Sequence, residues 1–269
     1  MKASEALRRL GEERPLVHHL TNYVTVNLVA NVTLSTGALP VMAHAVEEVE
    51  EMAATASALV INMGTLDPPW IEAMVRAGKE ANRRGIPVVL DPVGAGATRF
   101  RTETPEKLLS EIDFAAVCGN AGEISTLAGL SAEVRGVESI GGDAKTAVVK
   151  AARRLGATVA ATGATDHISD GEQILTVENG HPLMGRIVGS GCASTAVIGC
   201  FAAVGGGDVL DPETVAAALA CFGRAGEISA KRSDGPGTFE PRLLDALASL
   251  ADNPSVLNGA LRIREASVG

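Results

Sequence analysis

The sequence predicts an α/β fold in which a mostly parallel sheet carries helices on both faces, with an antiparallel hairpin near one edge. Three observations point there. Short β-rich runs alternate with segments of helical periodicity. Several of those runs are apolar without alternation, as in strands covered on both faces. Capping residues, prolines and glycines punctuate the junctions. A chain of 269 residues can bury a large core. It has no linker-like shift in composition and no internal repeat, so a single domain over residues 1–269 is expected.

The elements follow in chain order. Leu16–Leu20 is the first predicted strand and Leu39–Met42 the second. A helix then buries Val46, Val49, Met52 and Ala53 and exposes Glu47, Glu48, Glu50 and Glu51. Ala58–Asn62 is the third strand. Asp67-Pro68 offers a capping oxygen followed by proline, opening a helix that buries Ile71, Met74 and Val75 and stops near Gly85. Val88–Asp91 is the fourth strand. Thr104-Pro105 reads as another helix start, and Phe114–Cys118 as the fifth strand. A further helix buries Ala144, Ala147, Val148, Ala151 and Leu155, with Asp143 as its expected cap and Gly156 as its stop. Thr158–Thr162 is the sixth strand. Ser169-Asp170-Gly171, between His167-Ile168 and Gln173–Val177, signals a hairpin. Arg186-Ile187-Val188 reads as a short strand leading into a glycine turn, and Ala193 to Val204 as a buried helix. Asp211-Pro212 starts another helix, and the remainder is mostly helical.

Composition excludes several function classes. Lys+Arg of 23 against Asp+Glu of 32 gives a net charge of −9, without a basic cluster. That argues against nucleic acid or an anionic membrane as the main partner. Aromatic residues at 3% argue against a base-stacking platform. The opening Met1-Lys2-Ala3-Ser4-Glu5 is charged, with no apolar secretion core, and no apolar run is long enough to span a bilayer. The four cysteines show no CxxC spacing, so a reducing cytoplasm is expected.

Chemistry concentrates in Gly189-Ser190-Gly191-Cys192-Ala193-Ser194-Thr195. Glycines let a backbone approach a ligand, and a helix start presents unpaired N–H groups to an anion. Cys192 stands at that positive end, where a thiol is expected to ionise more easily. Cys200 and Cys221 fall inside helical patterns and read as small core hydrophobes. Other polar residues fall at strand ends, where open α/β sheets collect ligands: Asn22, Asp91, Asn120, Glu123 and Thr162. Asp91 and Glu123 suit Mg²⁺, which needs one or two carboxylates plus phosphate oxygens. Each also has a plain reading, Asp91 as a turn residue before proline and Glu123 as a helix-start residue. His18 and His19 point to opposite strand faces, so they cannot easily share a metal. Gly141 to Thr146 only faintly resembles a phosphate loop, and the full GxxxxGK[ST] pattern is missing.

These residues carry a resemblance. The runs Pro15-Leu16-Val17-His18, Thr21-Asn22-Tyr23-Val24, Pro40-Val41-Met42-Ala43 and Asn62-Met63-Gly64-Thr65-Leu66 take part. So do Asp91-Pro92-Val93-Gly94-Ala95-Gly96-Ala97, Gly119-Asn120-Ala121-Gly122-Glu123-Ile124, Thr162-Gly163 and Gly189-Ser190-Gly191-Cys192. In order and spacing the chain resembles the hydroxyethylthiazole kinases of thiamine biosynthesis and salvage. The resemblance implies a ribokinase-like three-layer fold without a separate lid domain. It implies ATP-dependent phosphorylation of the primary alcohol of 4-methyl-5-(2-hydroxyethyl)thiazole. Carried over, Asn22, Met42 and Gly189 would contact the thiazole; Asn120 and Thr162 would lie at the nucleotide. Gly189 to Cys192, Gly191 included, would form the anion hole for the moving phosphoryl group. Asp91 and Glu123 would organise Mg²⁺, partly through water, and a homotrimer with shared active sites is implied. One departure stands out: the family usually has Arg before Gly-Asn, meeting ATP phosphates, and this chain has Cys118. Arg brings a permanent charge and a fork of donors that Cys lacks, so weaker triphosphate binding or a substitute cation is expected.

The thiol at position 192 fits in-line transfer as a late proton acceptor or as an orienter of the alcohol. Two alternatives stay open on the residues. One is a related kinase of hydroxymethylpyrimidine or pyridoxal; the other is a transferase with Cys192 as covalent nucleophile.

Overall fold

A computed structural model describes residues 1–130 and 140–267. The chain order is α1 (Ala3–Glu13), β1 (Leu16–Leu20), α2 (Val26–Thr36), β2 (Leu39–Val41), α3 (Val49–Thr55), β3 (Ala58–Asn62), α4 (Pro68–Arg83) and β4 (Val88–Asp91). Then come α5 (Arg99–Glu111), β5 (Ala116–Asn120), α6 (Ala121–Leu127), α7 (Ile140–Leu155), β6 (Thr158–Thr162), β7 (Asp166–Ser169) and β8 (Ile174–Val177). The last elements are α8 (Ser190–Gly205), α9 (Pro212–Ala230), α10 (Pro236–Asp252) and β9 (Ile263–Ala266).

Among the described residues the strands form one nine-stranded sheet in the order β2-β1-β3-β4-β5-β6-β7-β8-β9. Pairing is parallel from β2 to β6 and antiparallel from β6 to β9. Strand residues alternate between two cores. Ala58 and Val60 of β3 face the layer that holds Leu7, Val32, Phe201, Phe222 and Phe239. Leu59 and Ile61 face the layer that holds Trp70, Met74, Leu108, Ile124 and Val148. Because both faces are buried, the strands read as unbroken apolar runs. The expected three-layer arrangement, a mostly parallel sheet with helices on both faces, is present.

Helix α8 is the central element. It is apolar all round, Ala193 to Cys200 are fully or nearly fully buried, and it packs on β3, β4, α2 and α9. Gly199 lets it lie close to the sheet, since a Cβ there would sit 2.3 Å from Val60 Cγ2.

Several expectations need correction. The fifth strand is Ala116–Asn120, not Phe114–Cys118, so Asn120 closes the strand instead of following it. Leu39–Met42 shortens to Leu39–Val41. Thr104-Pro105 does not start a helix. Thr98 caps α5 by accepting from Arg101 N, and Thr104 Oγ1 donates back to Phe100 O at 2.8 Å inside the helix. The Arg186–Val188 strand is absent: Pro182–Arg186 form a 3₁₀ turn, and Val188 is 73% exposed. Its β-branched pair resembles a strand, but β6 and β7 already have partners on both sides. Helix α7 begins before Asp143, whose side chain lies outside the described residues. The closing strand β9 was not anticipated from the sequence.

Candidate active site

Parallel strands stop along one edge, and that edge collects the polar residues. Asn62 of β3 pairs with Asp91 of β4, and Asn120 of β5 with Thr162 of β6. The first turn of α8 enters beside them. Gly189 holds φ 92°, and a Cβ there would lie 2.5 Å from Thr25 Cγ2, so only glycine fits. The first bond of the helix runs from Ala193 N to Gly189 O at 2.8 Å. The amides of Ser190, Gly191 and Cys192 precede it, which is the geometry of an anion site.

A hydrogen-bond chain joins Cys192 to Asp91 across three strands. Asn22 Oδ1 accepts from the amides of Val24 (3.1 Å) and Thr25 (3.0 Å). Its Nδ2 therefore faces inward, donating to Asn62 Oδ1 at 2.9 Å and to Cys192 Sγ at 3.4 Å. Asn62 Oδ1 also accepts from Gly64 N, a group that can only donate, which fixes the amide orientation. Asn62 Nδ2 then donates to Asp91 Oδ2 at 2.6 Å. Thr195, one turn into α8, reaches the same oxygen at 3.3 Å. Asn62 and Thr195 were not singled out from sequence. Asn62 ends an apolar strand directly opposite Asp91, and that register was the available signal.

Burial, then the charge of Glu123, pushes the Asp91 carboxyl up to about 8. Cys192 corrects an expectation. Its thiol is held above the ordinary value, first by burial and then by the charge of Asp91. The helix terminus does not make it an easily formed thiolate, because the sulfur sits half-buried beside a carboxylate.

A second cluster lies one strand further along. Glu123 Oε1 accepts from Gly94 N and Oε2 from Asn120 N, each at 2.8 Å, while Asn120 Oδ1 accepts from Glu123 N at 3.0 Å. This is a capping box at the start of α6, the plain reading of Glu123 realised. Burial still raises the Glu123 carboxyl, so the residue is both a cap and a poorly solvated acid. Arg101 fastens the neighbouring loops, donating to Met63 O, Val93 O and Gly64 O. Thr162 Oγ1 donates to Gly119 O at 3.2 Å.

Cys118 does not reach the open cleft. It is 1% exposed, and its sulfur lies against Thr195 within range of the charges of Asp91, Asp166 and Glu123. Asp166 was missed from sequence. Its Oδ1 accepts from Gly163 N at 2.9 Å, and burial pushes its carboxyl up to about 7. A cleft of about 630 Å³ is lined by Thr162, Asp166, Asn179, Ser190, Gly191 and Phe222, among others. Met42 follows β2 and packs, partly buried, against the α8 side of the core. His18 and His19 face opposite ways as expected, towards Ala43 O and Thr33 Oγ1.

Among the described residues no group of three or more His, Cys, Asp and Glu side chains forms a metal cage. Two poorly solvated acids beside an anion-binding turn fit a hard cation that takes its other ligands from phosphate and water.

Comparison with known proteins gives a consistent result. A model of the hydroxyethylthiazole kinase family matches residues 7–253. The hydroxyethylthiazole kinase of Rubrobacter xylanophilus is 68% identical over 269 residues, covering 100% of both chains. The solved hydroxyethylthiazole kinase of Pyrococcus horikoshii OT3 is 45% identical, with TM-score 0.88 over 98% of this chain and 99% of that one. A ribokinase-like superfamily protein of Enterococcus faecalis shares the fold at 15% identity, with TM-score 0.64 over 93% and 94% of the two chains.

Proposed function

The chain belongs to the hydroxyethylthiazole kinase family, and from that premise we propose how its residues move the γ-phosphoryl group of ATP to the thiazole alcohol. The family reaction is phosphorylation in thiamine salvage. Asn22, Met42 and Gly189 border the thiazole, and Thr162, Asn120 and Gly191 border the nucleotide. The alcohol oxygen attacks the γ-phosphorus in line, and the bond to the β,γ-bridging oxygen breaks. The transition state is loose, so positioning and charge stabilisation dominate. The amides of Ser190 to Cys192 receive the charge growing on the transferred group.

Cys192 stays a neutral thiol and orients the alcohol, held in place by Asn22. The proton leaves late, towards Asp91 behind it in that carboxyl's ionised form. A covalent role for Cys192 finds little support here. The groups on the sulfur are Asn22, Asn62, Thr25 and Asp91, with no histidine base among them. Glu123, with Asp91 through water, would hold Mg²⁺, which supplies charge neutralisation on the phosphates when bound.

Tyr23, Val24 and Val188 flank the Asn22–Gly189 mouth and are 57%, 69% and 73% exposed. We assign this apolar rim to a neighbouring subunit in a homotrimer, to be tested by light scattering on the purified protein. The free cysteines accord with a cytoplasmic enzyme.

The observation that carries the mechanism is the unbroken path Cys192–Asn22–Asn62–Asp91 at the mouth of α8. Cys192→Ala should lower kcat by about 10- to 100-fold and leave thiazole binding intact, with Cys192→Asp still active. A fully active alanine variant removes the thiol from the mechanism. Coupled turnover on hydroxyethylthiazole, hydroxymethylpyrimidine and pyridoxal, with and without Mg²⁺, tests substrate and metal together.

A further inference from the structure

One wall of the nucleotide cleft is fastened from outside it. Asn179, Gly180 and His181 follow β8 and line the cleft together with Ser190 and Gly191. A single carboxylate on α9 grips that wall. Glu227 Oε1 accepts from Asn179 Nδ2 at 3.0 Å, Gly180 N at 3.2 Å and Arg262 Nη2 at 2.7 Å. Its Oε2 accepts from Arg224 at 2.8 Å.

The opposite side of Asn179 is held by the C-terminal segment. Arg262 N donates to Asn179 Oδ1 at 2.7 Å, Asn179 Nδ2 also reaches Ala260 O at 3.2 Å, and the Arg262 guanidinium donates to Glu178 O. Asn179 is 7% exposed and fully engaged. Strand β9 pairs antiparallel with β8 directly beyond this point, with Val177 opposite Ile263.

The helix is shaped to receive the wall. A Cβ at Gly223 would lie 2.4 Å from Asn179 O, and one at Gly226 would lie 2.5 Å from Met184 Sδ. Gly223, Gly226 and Glu227 stand at i, i+3 and i+4, on one helical face. The wall then runs through the 3₁₀ turn Pro182–Arg186 to Gly189. By contrast Asn22, Asn62 and Asp91 hang on β1, β3 and β4 and make none of these contacts.

We propose that Glu227 is a positioning residue for ATP, clamping the Asn179–Gly180 wall between α9 and the Arg262 end of the C-terminal strand. The inference rests on reading the 630 Å³ cleft as the nucleotide site. A looser Asn179–Gly180 stretch misplaces the nucleotide, whereas Gly189 is held separately by its close packing on Thr25 and Leu28, so the effect falls mainly on one substrate.

The experiment measures KM for ATP and for thiazole, kcat, ADP binding by calorimetry and melting temperature. The variants are Glu227→Ala, Glu227→Gln, Asn179→Ala and Ala164→Trp. Glu227→Ala and Asn179→Ala should raise the ATP KM and the ADP Kd by about tenfold, with thiazole KM and kcat at saturating ATP within about twofold. Glu227→Gln keeps an acceptor for Gly180 N and should fall between these and the parent. Should Glu227→Ala fail to fold, Asn179→Ala and Glu227→Gln decide. Unchanged ATP KM in the folded variants, or equal shifts for both substrates, overturns the inference. Ala164→Trp places a ring in the cleft and should abolish ADP binding. If it does not, the nucleotide reading of the cleft is wrong. If it does while the Glu227 and Asn179 variants bind ADP normally, only the positioning role is wrong.

Discussion

Asn62 shows how much a single amide orientation controls. Gly64 N fixes its oxygen on one side, so its N–H must face Asp91. Asn62→Asp keeps the shape but sets an oxygen against a carboxylate oxygen. It should lower kcat more than Asn62→Ala does, by about 10²-fold or roughly 2.7 kcal/mol; steady-state kinetics on both variants checks the order. Cys118 invites the opposite test. Its sulfur is buried within range of the charges of Asp91, Asp166 and Glu123, and a thiol stands where the family usually has Arg. Cys118→Arg should lower the ATP KM, and an unchanged KM in a folded variant shows that the missing charge is already supplied elsewhere. The turn at Cys192 was legible because its glycines and the helix after it are adjacent in sequence. The direction of the thiol's shift was not, because the groups that bury and charge it come from β1, β3 and β4.

Helices and strands were legible where one element decides its own pattern. Ala58–Asn62, Val88–Asp91 and Thr158–Thr162 read correctly because both their faces are buried and flanking residues mark the ends. Phe114–Cys118 was misplaced by two residues because Phe114 and Ala115 are buried like strand residues before the regular ladder begins. Thr104-Pro105 misled because a proline in a second turn resembles one in a first. Strand β9 left almost no trace, being short, half-exposed and rich in charge. The central helix gives the sharpest prediction at this scale. Gly199→Ala pushes a methyl into Val60, so the helix must lift or the valine must turn. A loss of about 1–3 kcal/mol is expected in denaturant unfolding. A neutral result there means that α8 does not set its distance from the sheet at Gly199.

The whole molecule holds several ionisable groups in their less charged forms, which gives a pH signature. Asp91, Glu123 and Asp166 are raised, chiefly by burial. The folded state therefore keeps protons that the unfolded chain has released, and stability falls as pH rises through these raised values. His18, His19 and His167 are lowered by burial and act the other way, but only below their ordinary value near 6.5. Between about pH 6.5 and 8 the carboxylates act alone, so the metal-free protein should melt at lower temperature as pH rises. Asp166→Asn should flatten that slope. A melting temperature that climbs across the same interval contradicts the burial of these acids. The overall architecture was readable because alternating strands and helices leave few topologies, whereas the grouping of three acids required the sheet order itself.

Asn62 and Asp91 sit on one flank of the sheet, while Thr162, Asp166 and Asn179 sit on the other. Inheritance can therefore revise each flank on its own. A lineage that exchanges one phosphoryl donor for another needs new residues only beyond β5, and the recipient pocket passes to descendants untouched. Chimaeras that swap only β6 to β8 (Thr158–Val177) and the wall that follows to His181 between distant kinases of this shape, leaving Gly189 and Cys192 in place, should trade donor preference and keep the acceptor.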